Sequence, residues 1–162
     1  MKEALRASMT ASSLRDDSGW KGWVLSLLIP LAYPLALVVL WVSPKNFGFG
    51  HRVLVYAGWG IGLSGLALWI LAMVHLGRAL AVLPGAPRLV THGVYRFLRH
   101  PVYLGITLTL LGLVLCLGSL WGLFYLGLLV LPLNLWRARW EERVLRAQFG
   151  EAYETWRRRT WF

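Results

Sequence analysis

The chain contains a single cysteine, Cys116, and this scarcity limits its chemistry. One thiol forms no intramolecular disulfide and no cysteine-based metal site. The four histidines, at positions 51, 75, 92 and 100, do not have the spacing of zinc ligands. The sequence also lacks a Ser-His-Asp arrangement, a phosphate-binding glycine loop and the paired-carboxylate pattern of hydrolases. It therefore predicts neither a metal site nor a hydrolase.

Acidic residues are scarce as well. The 162 residues include 7 Asp and Glu against 17 Lys and Arg, which gives a formal net charge of +10. Charged residues make up only 15% of the chain, apolar residues make up 57%, and the mean hydropathy is +0.57. This composition is typical of a protein whose solvent is mostly lipid. Because the basic residues flank apolar runs, we expect them to face the membrane surface, and we expect no nucleic-acid partner.

Four apolar runs predict an all-α integral membrane protein with one domain at 20–162. The runs are residues 23–42, 53–76, 102–117 and 120–136. The first two have the roughly 20 residues that a helix needs to cross the hydrocarbon core. The last two are shorter, and only Gly118 and Ser119 separate them, which predicts a tight helical hairpin. This hairpin could cross completely or re-enter, and both arrangements leave the C-terminal segment on the same side.

The basic residues also predict an orientation. Lys and Arg number four before the first run, four in the loop 77–101 and seven after the last run, against two and none in the other loops. By the positive-inside rule, both termini and the loop 77–101 face the cytoplasm. Residues 1–19 have no apolar core of a signal peptide and are expected to form a flexible cytoplasmic tail. Residues 137–159 are expected to form an amphipathic cytoplasmic helix.

The loop 77–101 ends in a dense polar cluster. Pro101 is suited to begin a helix, and His100, as the residue before a proline, should stay outside it. A helix N-terminus and the side chains of Arg99 and His100 are then directed into one niche, where anionic groups bind well. Alternatively, Arg96 and Arg99 only bind lipid phosphates and His100 only caps the helix.

A second polar cluster follows the last apolar run. One face of a continuing helix carries Asn134, Ala138, Glu141 and Leu145, with Glu142 at its edge. Arginines form a different face, so the two glutamates are expected to turn toward the loop cluster. The alternatives are surface ion pairs of Glu142 with Arg139 or Arg146, and an interhelical hydrogen bond for Asn134.

The second apolar run contains three glycines that would lie along one side of a helix. Gly58, Gly62 and Gly65 recur at helical spacing and include a GxxxG match. Such a stripe predicts close helix packing and not a cofactor site, because the strand-then-helix context of a dinucleotide fingerprint is missing.

Three segments resemble the isoprenylcysteine carboxyl methyltransferases and related phospholipid methyltransferases. They are LGRALAVLP, GVYRFLRHPVYLG and EERVLRAQFGEAYETW, within residues 76–159. The specific feature is RHPxYxG followed by a membrane hairpin and then EExxLxxxFGxxYxxW, because RHPxY alone is common to other proteins. One departure is Gly93-Val94-Tyr95, where the family usually has Gly-Pro-Tyr.

The resemblance implies a small prokaryotic-type membrane methyltransferase that uses S-adenosylmethionine at the cytoplasmic face of a bacterial or archaeal membrane. It implies catalytic roles for Arg99, His100 and Glu142. The implied cofactor contacts are Tyr95, Arg99, His100, Tyr103, Gly105, Glu141, Glu142 and Tyr153. The implied acceptor is lipophilic, either a small molecule or a prenylated peptide, and foremost an isoprenylcysteine carboxylate, with membrane lipids as neighbours.

Two other classes share part of this pattern. Membrane reductases of the sterol-reductase type have an RHPxYxG-like segment and bind NADPH, although the Glu141-Glu142 pair disfavours this class. A non-catalytic membrane scaffold would use both clusters only for lipid headgroups. Among methyltransferases, the residues leave O-, N- and S-methylation open, and they indicate no particular oligomeric state.

Overall fold

The computed structural model describes residues 19–45, 51–77 and 89–161, with side chains from residue 28 onward. Its elements are helices: α1 (Gly19–Val42), α2 (Arg52–Leu76), a 3-10 turn (Gly93–Arg96), α3 (Pro101–Leu117), α4 (Leu120–Phe149) and α5 (Glu151–Arg157). Within these ranges two isolated bridges occur but no strand, so the predicted all-α class is confirmed. The predicted tail, apart from its last residue, and residues 78–88 of the predicted loop lie outside the described residues.

Two helices are long and apolar enough to cross a membrane. They are α2 and α4, and only 17% and 22% of their apolar windows are buried inside the protein. Large apolar side chains therefore face outward along both helices, which is costly in water and favourable in lipid. The other apolar helices are shorter, namely the part of α1 with described side chains, Leu28–Val42, and α3. The total of four crossings stays a prediction.

The closest helix pair is formed by α2 and α3. Gly58 lies against Gly112, and Gly65 lies against Gly105, so the two helices run antiparallel. A Cβ atom at Gly65 would lie 2.6 Å from the backbone nitrogen of Thr109 and 2.8 Å from the carbonyl oxygen of Gly105. Only glycine permits two backbones to approach this closely. The close packing predicted from the glycine stripe is confirmed.

The connection between α3 and α4 is the predicted two-residue turn. Gly118 adopts the left-handed conformation with φ 61°, and Ser119 caps α4 by accepting a hydrogen bond from the Gly122 backbone N–H at 2.9 Å. The buried Ser119 hydroxyl donates to the Ser43 hydroxyl at 2.7 Å. The turn is thereby attached to the residues that follow α1.

The C-terminal helix predicted at 137–159, as a continuation of the last apolar run, has other bounds in the structure. Helix α4 runs without a break from the last apolar run into the polar segment, and it contains a π-helical stretch at Leu126–Val130. It ends at Phe149 because Gly150 takes a positive φ of 51°, after which α5 begins. The polar segment is therefore a rigid extension of a membrane helix.

A buried cluster attaches α5 to the rest of the fold. Its members come from α2, α4, α5 and the segment before α3: Ala72, Val90, Tyr95, Leu145, Tyr153 and Trp156. The Trp156 indole N–H donates to the Tyr95 carbonyl at 2.9 Å, which satisfies a polar group that would otherwise be buried unpaired. This cluster holds the 3-10 turn, and with it the segment leading to Arg99, beside α4.

Candidate active site

The two polar clusters of the sequence meet at Glu142. Its Oε1 atom accepts a hydrogen bond from the Arg99 guanidinium at 2.6 Å and lies 3.3 Å from Nε2 of His100. His100 is buried, and the side chains of Arg99 and Glu142 are about one-fifth exposed (20% and 22%). The contact joins residues 42 and 43 positions apart in the chain. The prediction that the glutamates face the loop cluster is confirmed.

These contacts keep Glu142 ionised. The hydrogen bond with His100 and the positive charge of Arg99 hold the pKa of the Glu142 carboxyl below its usual range, against the opposing effect of burial. The alternative pairing with α4 arginines is not observed. Arg146 instead pairs with Glu154 of α5 at 2.6 Å.

The other glutamate belongs to a second polar group. The Tyr103 hydroxyl donates to Oε2 of Glu141 at 3.0 Å and accepts a hydrogen bond from Nε of Arg137 at 2.8 Å. The rings of His100 and Tyr103 are stacked, with centroids 5.8 Å apart. Because the ring stack links the two groups, Arg99, His100, Tyr103 and both glutamates form one continuous polar surface.

A cavity of about 220 Å³ lies against this surface. Its polar lining residues are Tyr95, Arg99, His100, Tyr103, Arg137 and Glu141. The remaining lining residues are largely apolar, namely Ile29, Pro30, Tyr33, Leu76, Pro101, Val102 and Ile106. The cavity therefore has the chemical character needed to bring a charged molecule and an apolar one together.

Comparison with known proteins identifies the family. Residues 53–152 match the family described as phospholipid methyltransferase. A probable protein-S-isoprenylcysteine O-methyltransferase of Oryza sativa subsp. indica is 30% identical over 159 residues, covering 92% of this chain and 77% of the relative. The protein-S-isoprenylcysteine O-methyltransferase of Schizosaccharomyces pombe is 33% identical over 98 residues, covering 54% of this chain and 39% of the relative. No solved structure matches the chain.

The chain belongs to the phospholipid methyltransferase family. The resemblance seen in its motifs is thereby confirmed, and the class of activity is methyl transfer. Together with the outward-facing apolar surfaces of α2 and α4, this membership identifies a membrane methyltransferase.

The structure places the predicted site residues of this methyltransferase in three locations. Five of them line the cavity: Tyr95, Arg99, His100, Tyr103 and Glu141. Glu142 is not among the lining residues but pairs with two of them, Arg99 and His100. Gly105 lies in the α2–α3 contact, and Tyr153 is fully buried in the cluster around α5. The roles assigned to all eight stay predictions.

Two charged or polar residues of the cavity are absent from the sequence-based set. Arg137 precedes Glu141 by one helical turn, so a search of the same helix face one turn upstream would find it. Tyr33 of α1 donates from its hydroxyl to Oδ1 of Asn134 at 2.7 Å, and Asn134 donates to Thr107 at 3.1 Å. The interhelical hydrogen bond considered for Asn134 is thus observed. No polar pattern in α1 points to Tyr33.

Proposed function

We propose that this methyltransferase transfers a methyl group from S-adenosylmethionine to a lipophilic acceptor at the cytoplasmic membrane face, foremost an isoprenylcysteine-type carboxylate. The observation that carries the proposal is the cavity lined by both charged and apolar side chains. A soluble, charged cofactor and a lipid-derived acceptor need such a mixed lining. The relatives named as isoprenylcysteine O-methyltransferases support this acceptor class.

The charged side chains of the lining fit the cofactor. S-adenosylmethionine, when bound, supplies an electrophilic methyl group on a sulfonium, and it carries a carboxylate and ribose hydroxyls. The guanidinium of Arg99 lines the cavity and offers positive charge to a carboxylate. Glu141 offers an acceptor for ribose hydroxyls. The rings of Tyr95 and Tyr103 would stabilise a cation.

Tyr95 and Glu141 lie close enough to influence each other. Burial and then the negative charge of Glu141 raise the pKa of the Tyr95 hydroxyl, so Tyr95 stays neutral across the physiological range. A neutral tyrosine can present the face of its ring to a cation and can donate its hydroxyl proton to an acceptor. Tyr95 is therefore not proposed as a base.

The chain's own residues would bind, orient and desolvate the acceptor. Ile29, Pro30 and Ile106 are apolar lining residues that would exclude water, and Arg137 provides positive charge in the same lining. A carboxylate acceptor is already anionic, so its methylation requires alignment and the exclusion of water and not a strong base. If the acceptor were an amine, His100 or a glutamate would take up the released proton.

The cavity also predicts a movement. Its volume of about 220 Å³ is below the roughly 300 Å³ at the lower end of ligand pockets. Cofactor and acceptor together would therefore extend beyond the cavity or displace one of its sides. Since α2 and α3 are joined tightly at glycines, the wall formed by α1 is the one we expect to move.

The orientation belongs to the proposal as well. The cavity lies at the end of the helices where most of the described basic residues are located, and the positive-inside rule assigns this end to the cytoplasm. S-adenosylmethionine is a cytosolic metabolite in this scheme, while the acceptor reaches the cavity from the bilayer.

Calorimetric titration of the purified protein in lipid nanodiscs with S-adenosylhomocysteine tests this proposal, with NADPH as the competing ligand class. We expect saturable binding that is lost in the variant Glu141→Gln/Glu142→Gln. The matched control is Glu154→Gln, which removes a carboxylate paired outside the cavity. Normal binding by the double variant would reject the site assignment, and binding of NADPH alone would favour the reductase.

A further inference from the structure

Residues 158–161 lie against the segment that carries Arg99. The backbone N–H of Trp161 donates to the Phe97 carbonyl at 2.7 Å, and the backbone N–H of Arg99 donates to the Trp161 carbonyl at 3.0 Å. These bonds form a parallel bridge between Leu98 and Trp161. The bridge fixes the main chain of Arg99, whose side chain pairs with Glu142. Any partner that holds Trp161 in place therefore also holds the main chain of Arg99.

The two aromatic rings at this bridge are exposed. Phe97 is 64% exposed and Trp161 is 80% exposed, although both belong to residues whose backbones are hydrogen-bonded to the fold. The segment leads directly into α3, which begins at Pro101 and is apolar. The rings therefore lie at the level where a helix leaves the polar region. Aromatic rings are enriched at this level of a membrane, which is that of the lipid headgroups.

Basic side chains accompany the rings. The guanidinium carbon of Arg96 lies 5.9 Å from the centroid of the Phe97 ring, and Arg158 and Arg159 are exposed. Glu154, the acidic residue one turn before them, is already paired with Arg146 at 2.6 Å. The surface thus combines positive charge with exposed aromatic area, and it has little negative charge of its own.

We propose that these five residues, here called the 97/161 surface (Arg96, Phe97, Arg158, Arg159 and Trp161), bind the headgroups of anionic phospholipids. Positive charge near an anionic leaflet is attracted to it, and the apolar α3 that follows brings the surface to that depth. The bound lipid holds the bridge and thereby the main chain of Arg99. This second step rests on the proposed function, because it assigns Arg99 to the cofactor cavity.

The lipid contact is tested without any activity measurement. The full chain is placed in phosphatidylcholine nanodiscs that contain a headgroup-photoreactive phosphatidylglycerol, and the cross-linked peptides are identified by mass spectrometry. We expect adducts at residues 96–97 and 158–161 and a several-fold loss of them in Arg158→Gln/Arg159→Gln. The control Arg139→Gln/Arg143→Gln removes two exposed arginines of α4 and should retain the adducts. Equal labelling by photoreactive phosphatidylcholine, or adducts that the first variant leaves unchanged, would overturn the proposal.

The link to Arg99 is tested by the affinity for S-adenosylhomocysteine in nanodiscs with and without phosphatidylglycerol. The attraction of two arginines to an anionic surface corresponds to a factor of about thirty in lipid affinity, which is the upper limit of what the lipid can add to the cofactor affinity. We expect a higher affinity for S-adenosylhomocysteine with the anionic lipid, by a factor within this limit, and its loss in Arg158→Gln/Arg159→Gln. Trp161→Ala should reduce the lipid dependence because it removes the ring and keeps the backbone bridge, whereas Trp161→Phe should restore it.

The two measurements separate the possible failures. Adducts at the 97/161 surface together with an affinity that is the same in both lipids would overturn the link to Arg99 and keep the lipid contact. Absence of S-adenosylhomocysteine binding in every lipid would reject the proposed function, while the cross-linking result still decides whether the surface binds anionic lipid.

Discussion

Two regions of the molecule are held together by opposite means. One is the α2–α3 seam, formed by Gly58, Gly65, Gly105 and Gly112, and the other is the polar junction, formed by Arg99, His100 and Glu142. At the seam, glycines remove side chains so that the backbone of one helix touches the other. At the junction, long side chains reach between segments more than 40 positions apart and meet in charged hydrogen bonds. Substitutions that add side-chain volume should therefore destabilise the seam, and substitutions that remove charge should weaken the junction.

This difference matters because the seam supports the junction. Helix α3 begins at Pro101, directly after His100, and its packing on α2 fixes the position of that helix start. The glycine seam supplies rigidity on one side of the cavity, whereas the polar junction supplies the groups that would contact a ligand. Substitutions in the two regions should thus be separable by measuring stability and ligand affinity in parallel.

The largest effect is expected from adding a side chain to the seam. Gly65→Val would place Cβ 2.6 Å from the backbone nitrogen of Thr109, and no side-chain rotation relieves that contact. We expect a loss of about 3 kcal/mol or more in the free energy of unfolding, at the upper end for overpacked sites. The measurement is thermal unfolding in detergent. Gly60→Val on the same helix, where a Cβ would meet nothing within 4 Å, is the matched control and should be much milder.

A more specific test of the comparison uses Gly105, which has a predicted cofactor role and lies in the seam. A Cβ there would lie 2.7 Å from the backbone nitrogen of Trp69. If packing is its function, Gly105→Ala should lower the unfolding temperature and affinity for S-adenosylhomocysteine together. Full stability with selective loss of affinity would instead support the contact with the cofactor.

The next largest effect is expected at the junction. Glu142→Gln keeps the size of the side chain and an acceptor oxygen but removes the negative charge, so the hydrogen bonds from Arg99 and His100 are no longer made to a charged acceptor. Hydrogen bonds to charged groups contribute about 1.5–3 kcal/mol to stability, so the free energy of unfolding should fall by an amount within or below this range. The affinity for S-adenosylhomocysteine should fall as well, because Arg99 and His100, which line the cavity, are held less firmly. Titration with S-adenosylhomocysteine measures it, and Glu154→Gln provides the control. A fall in stability with unchanged affinity would show that the pair is purely structural.

The seam and the junction also differ in how well the sequence predicts them. The glycine spacing in α2 predicted close packing, and the residues around Pro101 predicted where α3 begins. The helical face of Glu141 predicted that the glutamates meet the loop cluster. The sequence did not reveal the contribution of α1, because Tyr33 is an isolated polar residue in an apolar run and its partner, Asn134, is distant in the chain. It also missed the break at Gly150, because a glycine that ends a helix resembles one inside it until φ is known.

The pH dependence of stability should distinguish the junction from the seam. The pKa of Glu142 is lowered in the folded protein from an ordinary value of 4.5, so its ion pairs stabilise the fold fully above that value. This contribution is lost as the pH falls through the lowered pKa. Unfolding temperatures measured against pH should therefore show a smaller acid-induced decrease in Glu142→Gln than in the parent chain. The same decrease in unfolding temperature at acid pH in Glu142→Gln and in the parent chain would contradict the assigned charge pairing. Gly65→Val should lower the unfolding temperature equally at every pH.

The smallest expected effect is at the contact of α1 with the other helices. Tyr33→Phe removes the hydroxyl that donates to Asn134 but keeps the ring on the cavity wall. Interhelical hydrogen bonds in membranes contribute about 0.6 kcal/mol on average, so the unfolding temperature should fall only slightly. Tyr56→Phe, at a ring that is 70% exposed, is the control and should change nothing. If α1 is the wall that moves, Tyr33→Phe should also alter the rate of ligand binding more than the stability. Equal effects of both substitutions on the binding rate would mean that the wall formed by α1 does not control entry to the cavity.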